Sequence, residues 1–241
     1  MRGRKRNIGI LGGMGPEATV NLFQTIILNT KAEKDEDHIP IIILNDPKIP
    51  DRSAFINGKG PSPLSALIKG CRKLEQMGAD LIAIPCNTAH YFFDEIESSV
   101  HIPVINMIAE TAATVKNEFP DIDQYGLLST TGTYKTNIYT KWFNKKNLVI
   151  ITPDDPLREK IMNAIYGIKG LKAGYKTDSI QILNVTLTQL LDKGARAIIS
   201  GCTEISLVLD EINTPVPMID PVRILALKSI QLAGYELKNQ S

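Results

Sequence analysis

Two cysteines in similar local sequences are the residues of this chain best suited to chemistry. Cys86 lies in the segment 84–90, and Cys202 lies in the segment 200–204, 116 residues further along. Each follows a short apolar stretch and a break residue, and each precedes the polar start of a predicted helix. Because the separation is close to half the chain, it predicts two similar half-domains that each contribute one thiol to a shared cleft.

Such a pair indicates proton transfer on both sides of one carbon atom. The free N–H groups and the dipole at a helix start favour a thiolate, which predicts thiols that ionise more readily than usual. One thiolate would remove an α-proton while the opposed thiol delivers a proton to the other face, which is racemisation. A nucleophilic hydrolase would instead need a cysteine activated by histidine. His90, four residues after Cys86, is either a partner of that cysteine or an ordinary helix-end residue.

Composition excludes several other classes of protein. A formal net charge of +1 argues against a nucleic-acid or membrane-surface binder, and the basic segment 2–6 is interpreted as a solvated lead-in. No apolar run approaches the roughly 18 residues of a membrane span. The three cysteines lack the spacing of a disulfide framework or a zinc site, so we expect free thiols, no metal and a cytoplasmic location. Cys71, on an apolar helix face, is predicted to be a core residue.

Strands alternate with helices along the whole chain. The first half has predicted strands at 7–11, 41–44, 81–84 and 104–105, and predicted helices from Pro16 to about 30, over 64–77, from 88 and over 110–118. The pattern then restarts: 126–132 echoes 9–15, 190–204 echoes 74–88, and Pro215-Val216 echoes Pro103-Val104. We therefore predict an α/β fold with two parallel-sheet domains related by internal duplication, with ligands bound beyond the carboxyl ends of the strands.

Polar residues beside the two cysteines are candidate substrate ligands. Those at helix starts either cap the helix or bind the carboxylate or ammonium group of a substrate: Asn87, Thr88, Thr130, Thr131, Thr133 and Thr203. Met14 and Gly15 would offer backbone N–H groups, and Glu204 would hold an ammonium group, tune Cys202 or satisfy the helix dipole. The segment 13–18 also fits a loose dinucleotide-binding pattern, but Pro16 occupies its tight-packing position and no acidic residue ends the second strand at the expected distance of about 20 residues.

These motifs together resemble the aspartate/glutamate racemase family, which racemises amino acids without pyridoxal phosphate. The resemblance spans about residues 7–237 and rests on the segments 9–16, 49–52, 85–90, 128–133 and 201–204. Glu204 and the Pro-Asp-Arg sequence at 50–52 look most like aspartate racemases, since glutamate racemases usually have histidine at the position of Glu204. Having cysteine at both positions favours racemisation in both directions.

The resemblance implies further residues and an assembly. It implies that Arg52 grips a side-chain carboxylate and that Lys172 is the family's lysine, with Lys169 as the alternative. It implies two α/β domains around a pseudo-twofold cleft, with boundaries at 1–107 plus 216–241 and at 108–215. It also implies a homodimer that needs no cofactor and acts on a small amino acid, chiefly aspartate, with glutamate as a second substrate.

Two alternatives stay open. A related two-cysteine isomerase or decarboxylase would act on another small dicarboxylate such as maleate or a malonate. A non-catalytic protein would use the same cleft to bind a carboxylate or a nucleotide, and it would need neither thiol.

Overall fold

Two parallel β-sheets organise the chain, which a computed structural model describes over residues 5–238. The first sheet has the order β2-β1-β3 and the second has the order β5-β4-β6-β7. We call each sheet with the helices packed on it a lobe. The strands are β1 (Ile8–Gly12), β2 (Ile41–Asn45), β3 (Leu81–Ala83), β4 (Gln124–Leu128), β5 (Val149–Ile151), β6 (Ala197–Ser200) and β7 (Met218–Ile219). Arg2 and Arg4 of the basic segment lie outside the described residues.

Eleven α-helices connect and cover these strands within residues 5–238. They are α1 (Pro16–Asn29), α2 (Arg52–Ile56), α3 (Leu64–Gln76), α4 (Phe93–Glu97), α5 (Met107–Glu118), α6 (Thr131–Thr136), α7 (Ile138–Asn144), α8 (Asp155–Tyr166), α9 (Thr177–Asp192), α10 (Thr203–Ser206) and α11 (Pro221–Leu232). Short 3₁₀ helices lie at Asp35–Asp37, Thr88–Phe92, Leu171–Ala173 and Leu209–Glu211. No helix in this described range is both long and apolar enough to cross a membrane.

The internal duplication is visible in matching close contacts. An added Cβ at Gly9 of β1 would lie 2.9 Å from the Cβ of Ala79, and one at Gly126 of β4 would lie 3.1 Å from the Cβ of Ala195. Both glycines are needed because the helix preceding the third strand of each repeat, and the turn after that helix, pass the central strand too closely for a side chain. The repeat predicted from the sequence therefore corresponds to a repeated packing arrangement.

One predicted echo was wrong by two residues. The N–H of Ile82 donates to the carbonyl of Pro103, and the N–H of Ile198 donates to the carbonyl of Pro217, both at 2.9 Å. Pro217, rather than the predicted Pro215, is therefore the counterpart of Pro103. The connection before it is two residues shorter in the second lobe than in the first, and the hydrogen-bond register of the sheet, not the proline pattern, fixes the match.

Apolar side chains cover both faces of each sheet. In the first lobe, one core cluster joins β1 to α1 and α11, and a second joins the same sheet to α3. In the second lobe, α5 and α7 pack on one face, whereas α8 and α9 pack on the other. β7 pairs with β6 of the second sheet, and α11 then returns to the first lobe. The domain boundaries at 107 and 216 stay a prediction.

Local sequence accounts for two helix starts near the cysteines. Pro16 opens α1 at the predicted residue, where its missing N–H costs no hydrogen bond. α5 begins at Met107, earlier than the predicted Glu110, because the side chain of Asn106 accepts a hydrogen bond from the N–H of Ala109 at 3.0 Å.

Candidate active site

Cys86 is buried just beyond the end of β3, and the ring of His90 contacts its backbone carbonyl. The Nδ1 atom of His90 lies 2.9 Å from the carbonyl oxygen of Cys86, while its Nε2 accepts the N–H of Met107 at 3.1 Å. Burial lowers the pKa of His90, although its contacts with the carbonyl oxygens of Cys86 and Ile105 act in the opposite direction. His90 is therefore a neutral residue that donates to the backbone of Cys86, and no hydrogen bond from its ring to the thiol is found among the described residues.

Cys202 occupies the corresponding position after β6, and its thiol contacts a carboxylate. Its Sγ donates to Oε2 of Glu204 at 3.0 Å, and Oε1 of Glu204 forms an ion pair with the ammonium group of Lys172. Cys202 and Glu204 are each 6% exposed. A thiol, a carboxylate and an ammonium group thus form one continuous chain of contacts.

The predicted ease of ionisation is wrong for Cys202. Burial raises the pKa of the Cys202 thiol well above its usual value, and the adjacent Glu204 charge raises it further, against the opposing effect of Lys172. α10 spans only Thr203–Ser206, so the dipole at its start is small. The sequence showed a helix start but not the desolvation and the neighbouring negative charge that outweigh it.

A cavity of about 560 Å³ lies between the lobes, within the size range of small-molecule sites. Its first-lobe lining comes from the loops after β1 and β2, and its second-lobe lining is Tyr166, Lys172 and Glu204. Neither cysteine lines the cavity, but each interacts with a residue that does. Cys202 is hydrogen-bonded to Glu204, and Cys86 interacts electrostatically with Arg52, whose pKa it raises.

Arg52 begins α2 and is 6% exposed. Its Nη2 donates to the carbonyl of Met14 at 3.2 Å, and its Nη1 donates to the carbonyl of Pro50 at 3.3 Å. The Nε atom is buried and has no partner among residues 5–238. Burial acts to lower the pKa of Arg52, but the charge of Cys86 and other nearby groups raise it overall. The guanidinium therefore stays charged beside the thiol and keeps one unused donor.

Lys172 is electrostatically linked to both thiols. Burial acts to lower its pKa, whereas Glu204, Cys202 and Cys86 raise it, and the net effect is an increase. Its side chain is 25% exposed, and its ammonium group lies 5.0 Å from the centre of the Tyr166 ring. Lys169, the alternative lysine, is exposed and does not line the cavity. Lys172 is thus the lysine that the structure places at the cavity.

The predicted threonine ligands are bonded to one another across the lobes. The Oγ1 of Thr88 lies 2.9 Å from that of Thr133 and 3.3 Å from that of Thr130. Ser53 donates to Thr130 at 3.1 Å, and Thr131 accepts from the side chain of Asn57 at 3.0 Å. None of these threonines lines the cavity. In this structure they tie the lobes together, so their role as substrate ligands stays a prediction.

The remaining predicted residues occupy different positions around the cavity. Met14 and Gly15 line it directly. Asn87 is 2% exposed and contacts Tyr139 of the second lobe. The hydroxyl of Thr203 donates to Glu204 at 3.4 Å.

Tyr166, Tyr139 and Asp51 were not predicted from the sequence to belong to the site. Tyr166 donates to Oδ2 of Asp51 at 2.9 Å, and Asp51 also caps α2 by accepting the N–H of Ala54 at 2.6 Å. Burial, Asp51 and both cysteine thiols raise the pKa of Tyr166 despite the opposing effect of Arg52. Both tyrosines lie on helices of the second lobe and contact first-lobe residues more than 50 positions away. No local pattern carries that information.

No group of three or more histidine, cysteine, aspartate or glutamate side chains in the described part of the chain is arranged to hold a metal ion. Cys71 lies in the core of the first lobe with no disulfide partner, and burial raises its pKa to about 12.

A family model and a related protein both link this chain to amino-acid racemases. The model of the Asp/Glu/hydantoin racemase family matches residues 11–228. A protein of Bacillus subtilis strain 168 named broad specificity amino-acid racemase RacX is 29% identical over 229 residues, which cover 92% of this chain and 96% of that protein.

Solved structures agree with the fold. An aspartate racemase from Picrophilus torridus superposes with a TM-score of 0.84 and 31% identity, covering 97% of this chain and 96% of that one. A glutamate racemase, isoform RacE1, from Bacillus anthracis gives a TM-score of 0.70 at 18% identity, covering 95% and 82% of the two chains. The second similarity concerns the two-domain fold alone.

Proposed function

Since this chain is a racemase of the Asp/Glu/hydantoin racemase family, we propose that it racemises aspartate, and also glutamate, by proton transfer between Cys86 and Cys202 without a cofactor. One observation carries this proposal. Each thiol interacts with a charged residue that lines the same cavity: Cys202 donates a hydrogen bond to Glu204, and Cys86 interacts electrostatically with Arg52. Two acid/base groups from opposite lobes are thereby associated with a single small-molecule space.

The two thiols begin in different protonation states in this mechanism. Cys202 begins as the thiol, because burial and Glu204 raise its pKa. Cys86 acts as the base in this direction and removes the α-proton, and the positive charge of Arg52 offsets the negative charge of its thiolate. Cys202 delivers its proton to the opposite face, which leaves Cys86 as the thiol and Cys202 as the thiolate. The reverse reaction starts from that state, and Lys172, paired with Glu204, offsets the negative charge beside Cys202.

Positive charge near the α-carbon would stabilise the carbanion. Removing an α-proton places negative charge on the α-carbon and its carboxylate, so preorganised cations and N–H donors lower the barrier. Arg52 and Lys172 line the cavity from opposite lobes. Nε of Arg52 and Nδ2 of Asn87 are both buried and lack partners within residues 5–238, so they are donors available to carboxylate oxygens.

Two cationic side chains favour a substrate with two carboxylates. Arg52 is assigned to the side-chain carboxylate and Glu204 to the substrate ammonium. The aspartate racemase of Picrophilus torridus is 31% identical to this chain, which supports aspartate. The Bacillus subtilis relative is named a broad specificity racemase, so neutral amino acids belong in the substrate panel.

Chiral chromatography after incubation without added cofactor tests the reaction. We expect L-aspartate and D-aspartate each to approach the racemate, with glutamate slower. Absence of turnover on every amino acid tested would refute racemisation, and turnover restricted to maleate or a malonate would move the assignment to the related isomerases or decarboxylases.

Cysteine variants test the residue roles. Cys86→Ala and Cys202→Ala should each abolish racemisation, whereas Cys71→Ala, which alters a core thiol of the first lobe, should retain it. In deuterated water the product should carry α-deuterium well before the recovered substrate does. Equal early labelling of both would contradict two opposed monoprotic acids.

We also propose a cytoplasmic homodimer, following the family resemblance. Three free cysteines fit a reducing compartment. Sedimentation velocity should give about twice the chain mass of 26.6 kDa, and a monomer mass at working concentration would contradict the dimer.

A further inference from the structure

Tyr139 joins the second lobe to the residue beside Cys86. Its hydroxyl donates to Oδ1 of Asn87 at 2.5 Å. Tyr139 is 1% exposed and Asn87 is 2% exposed, so water does not compete for this contact. The other end of the Asn87 amide, Nδ2, is buried without a partner in the described part of the chain.

The contact selects one of two orientations of the amide. Asparagine presents a carbonyl oxygen on one side and an NH₂ group on the other, and a phenol O–H needs an acceptor. Asn87 Oδ1 is the acceptor that the structure gives to the Tyr139 hydroxyl. Turning the amide over would leave the buried phenol proton without an acceptor, which is costly. Tyr139 therefore commits the carbonyl oxygen and leaves Nδ2 as a free donor.

We propose that Tyr139 is a positioning residue that fixes the Asn87 amide with its NH₂ group available to a substrate carboxylate beside Cys86. This inference rests on the proposed function, because it assumes an amino-acid substrate in the cavity between the lobes. Tyr139 itself touches no reacting atom. It acts through Asn87, and it joins the two lobes at the residue next to the thiol.

The environment of the phenol favours its protonated form, which is the hydrogen-bond donor. Burial raises the pKa of Tyr139 well above its usual value, and the charges of Asp220 and Cys202 raise it further. The hydroxyl therefore keeps its proton more strongly than an exposed tyrosine does, which suits a hydrogen-bond donor.

Packing makes phenylalanine a fair substitute for the ring. The Tyr139 ring lies 5.8 Å from the ring of Phe143, and Tyr125 packs on the same Phe143 at 5.5 Å. Tyr125 is also fully buried in this core cluster, but its hydroxyl donates to the carbonyl of Ile122 at 3.2 Å, away from the cavity. Tyr125→Phe is thus a matched control that removes a buried hydroxyl from the same cluster.

The test compares affinity and turnover for aspartate in four variants. Tyr139→Phe should raise KM, and the Kd measured by calorimetry, roughly tenfold, while kcat changes by about twofold or less. Tyr125→Phe should lower Tm without changing KM. In the Asn87→Ala background, adding Tyr139→Phe should have no further effect on KM, because the amide that it orients is gone.

The outcomes separate this inference from the proposed function. An unchanged KM in Tyr139→Phe, or an equal rise in KM with and without Asn87, would overturn the positioning role while leaving racemisation intact. A wild-type protein that binds aspartate but does not racemise it would overturn the proposed function, and the Kd comparison would still decide the role of Tyr139. A wild-type protein that binds no amino acid would overturn both.

Discussion

Replacing Gly132 by alanine is expected to lower racemase activity by forcing the two lobes apart. Gly132 lies in the first turn of α6 in the second lobe and faces Ser53 of α2 in the first. A Cβ at this position would lie 2.8 Å from the Cα of Ser53 and 2.8 Å from its Oγ. The Oγ can rotate away, but the Cα is backbone, so relief requires α2 and α6 to separate.

The size of the movement follows from these distances. Carbon atoms pack at about 3.5–4.0 Å, so the helices must separate by about 0.7–1.2 Å. Overpacking of this kind costs about 1–3 kcal/mol of stability. The Ser53–Thr130 hydrogen bond, at 3.1 Å, would be stretched beyond its useful range. Since catalysis requires groups from both lobes, a displacement of about 1 Å predicts a fall of about 10- to 100-fold in kcat/KM.

The assay is the initial rate of aspartate racemisation, measured below the Tm of each variant. Gly126→Ala is the matched control, because its Cβ would meet Ile198 at 2.6 Å and Ala195 at 3.1 Å, all within the second lobe. That variant should lose stability but keep kcat/KM within about twofold. Wild-type activity in Gly132→Ala, or an equal loss in both variants, would refute control of activity through the distance between the lobes.

Three further results are expected. Glu204→Gln should lower the pKa of Cys202, because it removes the neighbouring negative charge and leaves the positive Lys172. Iodoacetamide should therefore alkylate Cys202 faster in this variant than in the wild type at pH 7.5. An unchanged rate would contradict the assigned effect of Glu204. Because burial lowers the pKa of His90 in the folded state, the unfolded chain takes up a proton first as the pH falls below about 6.5. The free energy of unfolding should therefore decrease by up to about 1.4 kcal/mol per pH unit below that value, and urea titrations of His90→Asn should lack this component. Cys71, with its pKa raised to about 12 by burial, should resist alkylation at pH 8 in the native protein and react only after unfolding, as mass spectrometry of the labelled peptides would show.

Much of the fold follows from local sequence. Alternating strands and helices predict the two parallel sheets, and Pro16 predicts the start of α1. The repeat is also readable, because close packing against Ala79 and Ala195 requires glycine at Gly9 and Gly126. The echo at Pro215 was misplaced because the hydrogen bonds between strands, and not the spacing of prolines, set which proline faces the third strand of each repeat.

The candidate site is only partly readable from sequence. The positions of both cysteines after matching strands bring them to the same side of the two sheets, as the topology requires. Lys172 and Arg52 came from resemblance. The ion pair of Lys172 with Glu204 and the electrostatic interaction of Arg52 with Cys86 became visible only in three dimensions. The threonines illustrate the limit, since their residue types suggest ligands but their neighbours are other hydroxyls.

The sequence by itself determined the fold class, the duplication and the presence of one thiol in each lobe, because backbone periodicity and steric demands act over a few neighbouring residues. Only the tertiary structure decided the charge and hydrogen-bond environment of those thiols. Desolvation and the charge of Glu204 raise the pKa of Cys202, whereas Lys172 opposes them. The contact of Tyr139 with Asn87 joins the two lobes at the residue beside Cys86. These effects depend on which side chains, distant in the sequence, pack around the thiols and exclude water from them. Only the packing of the folded lobes determines that.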